Sequence, residues 1–306
     1  MLQVKYMKKS LLTSCRLCPR QCGANRAAGE RGFCGSTYQL RAARAALHFW
    51  EEPCISGEQG SGAVFFSGCP LRCIYCQNHN IAAATAGKEI SVSRLADIFL
   101  ELEQKGALNI NLVTPTHYVP QILSALNAAR CKGLNLPIVY NCGGYESVST
   151  LKLLEGYIDI YLPDFKYLNE DTARRYSNAK NYPEVAKAAI KEMVRQTGAV
   201  YFNDAGIAQH GTIVRHLVLP GHIEESKQII HYLHKTYGNT IFMSIMNQYT
   251  PMPAVENIPS LNRRLTSAEY DDVLDYAIAI GVENAFIQEE GTAEESFIPE
   301  FDLEGV

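Results

Sequence analysis

The chain has 306 residues, 47% of them hydrophobic, which is enough for one large α/β domain with an appendage. No apolar run is long enough to span a membrane, and the Lys-rich N-terminus lacks the apolar core of a signal peptide. The net charge is −4, but residues 1–44 carry nine Lys and Arg against Glu30 alone, so we expect a basic lobe that docks on the acidic body or on an acidic partner. No basic stripe is interleaved with aromatic residues, which argues against nucleic-acid binding.

Seven of the ten cysteines lie in two tight groups with metal-ligand spacing, and this pattern indicates a reducing cytoplasm. The first group has the spacing C-x2-C-x3-C-x11-C, on loops rich in glycine and proline, and consists of Cys15, Cys18, Cys22 and Cys34. Four thiolates saturate one zinc ion or one iron–sulfur cluster, and the glycines allow backbone N–H groups to point at sulfur. The sequence therefore predicts a closed second metal site without deciding between zinc and iron–sulfur.

From Gly62 onward, short β-branched apolar runs alternate with amphipathic stretches, the pattern of a parallel sheet covered by helices. The predicted strands are 63–66, 110–113, 138–140, 158–162, 213–219 and 241–245, and the connection 38–50 is either strand or helix. The predicted helices are 93–104, 119–130, 147–155, 183–196, 223–237 and 267–280, with Ser93 as the first N-cap and Thr266 or Ser267 as the last. Six βα units with right-handed crossovers predict an α/β fold, an incomplete (β/α)6 barrel.

The second cysteine group follows the first predicted strand in the stretch Cys69-Pro-Leu-Arg-Cys73-Ile-Tyr-Cys76. Its C-x3-C-x2-C spacing lets three thiolates bind one face of a cubane iron–sulfur cluster, whose fourth iron then has no protein ligand. An open coordination site is what a catalytic cluster needs. The alternatives are a zinc knuckle with a distant fourth ligand, or three unrelated buried thiols.

Polar motifs end other predicted strands at their carboxyl ends, where parallel α/β folds gather their chemistry. The third strand runs into Asn141-Cys-Gly-Gly-Tyr-Glu146, the fourth into Asp164-Phe-Lys166, and the fifth carries Arg215. Asp164 and Lys166 share one side of an extended segment, so they form either a ligand site or an ordinary surface ion pair. Strand alternation leaves open whether Arg215 faces inward or outward. Polar clusters also end the second and sixth strands: Thr114, Thr116 and His117, and Ser244, Asn247, Gln248 and Tyr249.

The second cysteine group and these motifs resemble the radical S-adenosylmethionine (SAM) superfamily. The flanks Val64-Phe-Phe-Ser-Gly68 and Gln77-Asn78, with the later Arg-x-x-Val-x-Pro-Gly run of 215–221, are most similar to its pyruvate formate-lyase activating enzyme branch. The resemblance covers about residues 60–250. It implies a [4Fe-4S] cluster whose open iron is chelated by SAM, and electron transfer that cleaves SAM to methionine and a 5′-deoxyadenosyl radical.

The resemblance also implies roles for the residues around SAM, with none catalytic beyond the cluster. Tyr75 lies against the adenine, unless it merely packs under its loop. Gly143, Gly144 and Glu146 form the GGE-type motif that holds the SAM amino group. Lys166 pairs with the SAM carboxylate, Asp164 orients that lysine or holds a cation, and Arg215 grips a carboxylate. Asn141 stands where the branch can carry an acid, which puts a bound cation in doubt.

The implied activity is removal of a hydrogen atom from a substrate, which for an activase is a glycine on a protein loop. The rival interpretations are radical SAM modification of a peptide or small molecule and, in another class, a non-catalytic metal-binding interaction protein. The expected partners are SAM and an electron donor such as flavodoxin or ferredoxin. We expect no binding to nucleic acid or to a membrane. We expect an N-terminal Cys-rich metal-binding segment (1–60), a radical SAM core barrel (61–288) and a surface-packed acidic tail (289–306).

Overall fold

The computed structural model describes residues 11–288 and 299–306. Its strands are β1 Leu40–His48, β2 Ser61–Phe66, β3 Lys88–Ile90, β4 Ile110–Val113, β5 Ile138–Cys142, β6 Ile160–Pro163, β7 Tyr201–Phe202, β8 Ala208–Leu217, β9 Phe242–Met246 and β10 Ala285–Ile287. Its α-helices are α1 Pro53–Ser56, α2 His79–Ala82, α3 Val92–Gln104, α4 Val119–Cys131, α5 Val148–Leu151, α6 Glu170–Ser177, α7 Tyr182–Thr197, α8 Ile223–Tyr237 and α9 Ser267–Ala279. No helix in these two ranges is long and apolar enough to cross a membrane.

The strands form one open sheet in the order β10-β9-β8-β6-β5-β4-β2-β1-β3, with β7 attached to β8. The run from β10 to β2 is parallel, whereas β1 pairs antiparallel with β2 and β3 pairs antiparallel with β1. Across the described residues the sheet does not return on itself. The predicted α/β fold with an unclosed parallel sheet is therefore confirmed, with all six predicted strands in place.

Several elements differ from the sequence prediction. The connection 38–50 is largely strand β1, and β3, β7, β10 and helix α6 were not predicted. Helix α3 starts one residue earlier than expected, because the hydroxyl of Ser91, not Ser93, accepts the backbone N–H of Arg94. Helix α9 has the predicted cap at Thr266, in a capping box with Glu269. The stretch predicted as one helix over 147–155 divides into α5 and a 3-10 turn, Lys152–Leu154.

Alternation along the strands separates the packing core from the site. Ile110 and Leu112 of β4 belong to a large apolar core together with helices α3 and α4. Asn111, which lies between them, turns to the other face and contacts Glu51. In β5, Asn141 alternates with Tyr140 in the same way. The face with Asn141 thus carries polar side chains toward the site, beside a small apolar cluster of Ala63, Phe65 and Val113, while the opposite face buries apolar area against helices.

The N-terminal lobe is docked on the body through arginines that mostly donate to carbonyl oxygens. Arg26 donates to the carbonyl of His117 over 2.7 Å, and Arg41 donates to that of Gly87 over 2.8 Å. Strand β1 joins residues 40–48 to the same sheet as the barrel strands, and the division at residue 60 stays a prediction.

Residues 299–306 lie along β1 beyond the three residues of β1 that pair with β3. The backbone N–H of Leu303 donates to Ala43 over 3.1 Å, and that of Ala45 donates to Glu304 over 2.8 Å. Arg44 pairs with the carboxylates of Asp302 and Glu304, so acidic residues of the tail meet a basic residue of the lobe. The remainder of the predicted tail, 289–298, lies outside the described residues.

Candidate active site

The loop after β2 brings the second cysteine group to a cavity of about 260 Å³ at the carboxyl ends of the parallel strands. Cys69, Cys73 and Cys76 are free thiols, partly exposed, and all three line this cavity. Gly68 starts the loop with φ 98°, and a Cβ there would lie 2.7 Å from the carbonyl oxygen of Cys34. Only glycine allows this close approach of the loop to the N-terminal segment.

The donor set fits a cubane iron–sulfur cluster. Burial raises the pKa of the Cys69 thiol to about 11 and that of Cys76 to about 12, so iron binding would displace protons. Within 11–288 and 299–306, no three Cys, His, Asp or Glu side chains form a group that can hold a single metal ion, and this applies to both cysteine groups. A cubane binds each thiolate through a different iron and so needs a wider triangle than one zinc ion. Three soft ligands on one cavity, without a fourth in the same loop, suit a cluster with an open iron.

Most of the predicted SAM-contacting residues line the same cavity: Tyr75, Gly143, Glu146, Asp164, Lys166 and Arg215. Gly144 is not among the lining residues. It has φ 74°, and a Cβ there would collide with the carbonyl oxygen of Asp164, so glycine is needed for packing between two strand ends. Gly143 also lies against the cysteine loop, since a Cβ there would be 2.7 Å from the Leu71 side chain.

Arg215 faces inward and holds together the cavity floor, which it forms with Glu51, Asn141 and Asp164. Its guanidinium donates to Asp164 over 2.9 Å, to Glu51 over 3.1 Å and to Asn141 over 2.6 Å. These bonds connect the ends of β5, β6 and β8 with the loop after β1. The guanidinium thus grips two of the protein's own acids, and its predicted contact with a SAM carboxylate stays a prediction.

Asp164 and Lys166 lie in the cavity and not on the outer surface. The Lys166 ammonium donates to Asp164 over 2.6 Å, so each Asp164 oxygen accepts from one cationic side chain. Burial alone would raise the pKa of Asp164, but Lys166 and Arg215 outweigh it and hold that pKa below its usual value. The ion pair uses one Lys166 donor and leaves two for a ligand carboxylate. Both Asp164 oxygens already accept from a cationic side chain, which disfavours the alternative that Asp164 holds a metal cation.

Glu51 is a site residue that no sequence motif marked. Its carboxylate accepts from Asn111 over 2.9 Å and from Asn141 over 3.1 Å, in addition to Arg215. Asn141 therefore donates to Glu51 and accepts from Arg215. An acid at position 141 would face the Glu51 carboxylate, which explains why an amide suits this chain where the activating branch can carry an acid.

Glu146 lies buried at the cavity wall. Its carboxyl oxygens accept from Thr116 over 2.6 Å and from Tyr140 over 3.0 Å. Burial raises its pKa to about 7, partly opposed by these two hydroxyl groups. The hydrogen bonds fix the side chain between β4 and β5, and its predicted contact with the SAM amino group stays a prediction.

Tyr75 is buried in an aromatic wall of the cavity. Its ring meets those of Tyr167, Tyr176 and Tyr249 at centroid distances of 6.5, 6.4 and 6.1 Å. Thr114, Thr116, Gln248 and Tyr249 from the predicted polar clusters also line the cavity, whereas His117 and Ser244 do not.

The N-terminal cysteines have a different setting. Cys15, Cys18 and Cys34 are buried, Cys22 is exposed, and none lines the cavity. The sulfurs of Cys22 and Cys34 flank Gly32, each 3.4 Å from the place that a Cβ would take. Their shared metal remains a prediction, open between zinc and iron–sulfur.

A family model described as the Radical SAM superfamily matches residues 63–233, more than half of the chain. The chain belongs to the Radical SAM superfamily. It is therefore a radical SAM enzyme that uses a [4Fe-4S] cluster and SAM, and the expected cofactors are confirmed. The match establishes the superfamily and leaves the pyruvate formate-lyase activating enzyme branch a proposal.

Three proteins are similar to this chain in sequence or in fold. Uncharacterized protein MJ0674 of Methanocaldococcus jannaschii is 30% identical over 279 residues, which are 88% of this chain and 75% of that protein. A radical SAM methyltransferase from Sphaerobacter thermophilus superposes with a TM-score of 0.53 at 14% identity, over 76% of this chain and 67% of that chain. Streptococcus suis SuiB bound to precursor peptide SuiA superposes with a TM-score of 0.50 at 16% identity, over 73% of this chain. The superposed part is 47% of the SuiB chain, and at these identities both structures show a shared fold alone.

Proposed function

We propose that Cys69, Cys73 and Cys76 hold the catalytic cluster of this radical SAM enzyme. The observation that carries the proposal is the convergence of three free thiols and six predicted SAM contacts on one cavity. When bound, the cluster supplies the electron that cleaves SAM to methionine and a 5′-deoxyadenosyl radical, which abstracts hydrogen from the substrate. Flavodoxin or ferredoxin is the donor class that we propose for that electron.

The chain's own residues bind and orient SAM in this proposal. Lys166 offers its two remaining donors to the SAM carboxylate, and Asp164 fixes the lysine while staying ionised. Tyr75 and Tyr249 provide apolar ring surface for the adenine. Arg215 bonds to Glu51, Asp164 and Asn141 and so keeps this floor rigid.

We further propose that the substrate is an extended protein segment whose glycine loses a hydrogen atom, as in an activase. The open sheet gives such a segment a lateral approach. Amide side chains line the cavity at Gln77, Asn78 and Gln248, and amides pair with a peptide backbone as donor and acceptor. The Thr250 hydroxyl lines the same cavity, buried and without a partner in the described residues. A substrate carbonyl or N–H would satisfy it.

A second candidate function is radical modification of a precursor peptide, which would enter the cavity by the same lateral path. SuiB, which shares the fold, was solved bound to precursor peptide SuiA. Both candidates require a polypeptide in the cavity, so they differ in the atom that loses hydrogen and not in the binding site.

One experiment separates these functions from a small-molecule reaction. Cells of the source organism are grown on α-deuterated glycine, and their extract is divided into macromolecular and low-mass fractions. Each fraction is incubated anaerobically with reconstituted enzyme, SAM and dithionite, and 5′-deoxyadenosine is analysed by mass spectrometry. Deuterium transfer from the macromolecular fraction supports glycine abstraction in a protein. Stimulated 5′-deoxyadenosine without deuterium supports another residue of a polypeptide, and stimulation by the low-mass fraction alone overturns a protein substrate.

A further inference from the structure

A chain of three hydroxyl groups leads through the protein interior to the sulfur of Cys73. The Ser177 hydroxyl lies 2.9 Å from that sulfur, the Tyr167 hydroxyl 2.8 Å from Ser177, and the Tyr75 hydroxyl 2.6 Å from Tyr167. All three side chains are buried, with exposed fractions of 1% for Ser177, 0% for Tyr167 and 6% for Tyr75. Ser177 closes helix α6, an element that the sequence pattern did not reveal.

The direction of this chain follows from hydrogen-bond chemistry. A cysteine sulfur that ligates iron is a thiolate and can only accept, so Ser177 must donate to it. The Ser177 oxygen then accepts from Tyr167, and the Tyr167 oxygen accepts from Tyr75. Each hydroxyl proton therefore points toward the sulfur, and buried hydrogen bonds in series polarise one another.

Ser177 differs from the donors to the other two sulfurs. Cys69 receives a backbone N–H group, that of Leu71 over 3.4 Å, and the backbone of Asn78 lowers the pKa of Cys76. Of the donors that the described residues supply to the three sulfurs, Ser177 alone uses a side chain. The bond to Cys73 can thus be removed by substitution without changing the backbone of the loop.

Arg20 fixes Ser177 against the cysteine loop. Its guanidinium donates to the carbonyl of Ser177 over 2.8 Å, to that of Asn178, and to that of Pro70 over 2.8 Å. Pro70 follows Cys69 directly, and Arg20 lies between Cys18 and Cys22 of the N-terminal group. One arginine therefore joins the N-terminal cysteine segment, the end of helix α6 and the cysteine loop, and it satisfies carbonyls at a helix C-terminus.

We propose that Ser177 is a positioning residue that raises the reduction potential of the cluster through its hydrogen bond to Cys73, and that Arg20 holds it in place. The proposal rests on Cys73 being a cluster ligand. Reduction adds one electron to the cluster, with no bond formed or broken, and a donor to sulfur stabilises the added negative charge. The N-terminal segment thereby acts on the catalytic potential through Arg20.

The test is a redox titration of the reconstituted full-length enzyme, followed by electron paramagnetic resonance. We expect Ser177→Ala to shift the midpoint potential to a more negative value, while Ser177→Thr, which keeps the hydroxyl, stays near the native value. Tyr167→Phe removes the proton donated to Ser177 and should shift the potential in the same direction by less. If Ser177→Ala fails to retain iron, Tyr167→Phe decides the outcome, and an unchanged potential there overturns the proposal.

Arg20 has a matched control on its own segment. Arg20→Lys keeps the charge but cannot span three carbonyl groups, so we expect a negative shift like that of Ser177→Ala. Arg16→Lys changes an exposed arginine on the same segment and should leave the potential unchanged. Equal potentials for both variants would overturn the role of Arg20. Equal potentials in all variants with native SAM cleavage would overturn this inference alone, whereas a native protein that cannot cleave SAM would overturn the proposed function.

Discussion

The two cysteine groups have almost mirrored spacing but opposite surroundings. The N-terminal group begins C-x2-C-x3-C and the second is C-x3-C-x2-C. Three thiols of the first group are buried away from the cavity, whereas all three of the second are partly exposed on it. Spacing predicts metal ligands in both groups, but the position of the loop distinguishes a site that a small molecule can reach from one that is buried. Of the two groups, only the one in the loop after β2 lies at the carboxyl ends of the parallel strands, where a small molecule can approach.

The two groups nevertheless adjoin. The Cys34 carbonyl lies so close to Gly68 that a side chain would not fit, and Arg20 binds the carbonyl of Pro70. The N-terminal segment is thus part of the wall behind the cysteine loop. A closed centre in this place is suited to support the loop or to relay electrons to it.

The largest effect that we expect comes from the open group. Cys73→Ala should abolish formation of 5′-deoxyadenosine from SAM and dithionite under anaerobic conditions, because two thiolates cannot hold a cubane with one open iron. Cys131→Ala, which removes an exposed thiol without ligand spacing, is the control and should leave turnover unchanged. Unaffected turnover in Cys73→Ala would contradict the central assignment.

The closed group is isolated by removing Cys69, Cys73 and Cys76 together. We expect the triple variant to lose SAM cleavage and yet retain metal at Cys15, Cys18, Cys22 and Cys34. Metal analysis then decides what these four bind: about four irons per chain indicate a second cubane, and about one zinc indicates a structural site. If neither metal exceeds background, the four thiols are neighbours in sequence only.

The sequence pattern predicted the alternating strands and helices of the parallel sheet and missed the short elements between and beside them. Strands β2, β4, β5, β6, β8 and β9 were visible because buried parallel strands are apolar runs between helices. Strand β10 has three residues and helix α6 has eight, with only Ala173, Tyr176 and Ser177 buried, so each is too short for its period to stand out. Motifs placed the cysteines and Lys166, whereas Glu51 joins the site through contacts 60 and 164 residues distant in sequence. Such pairings follow from topology and leave no local pattern.

The cavity floor offers the next test. Arg215→Met should lower the free energy of unfolding by about 3–5 kcal/mol, because it leaves the Glu51 and Asp164 carboxylates buried with their shared partner removed. Arg174→Met, which breaks an exposed pair with Asp171, should change stability far less. Urea unfolding of both variants is the measurement. Equal losses of stability would show that the Arg215 network is no more important than a surface pair.

The smallest effect, and the one that defines the open site most closely, concerns Lys166. Burial would lower the pKa of Lys166, but the Asp164 carboxylate and the nearby thiolates raise it above its usual value, so the side chain is charged at working pH. Removal of one charge-assisted hydrogen bond to a carboxylate costs roughly 1.5–3 kcal/mol. Lys166→Ala should therefore weaken SAM binding by about tenfold to over a hundredfold. Iron content should stay native, because Lys166 is not a ligand.

Lys132→Ala, at an exposed pair with Asp97, is the control for loss of a lysine. Isothermal titration of SAM into both reconstituted variants, with iron analysis, gives the answer: a loss of iron without a loss of SAM affinity would make Lys166 a support of the cysteine loop instead of a SAM contact.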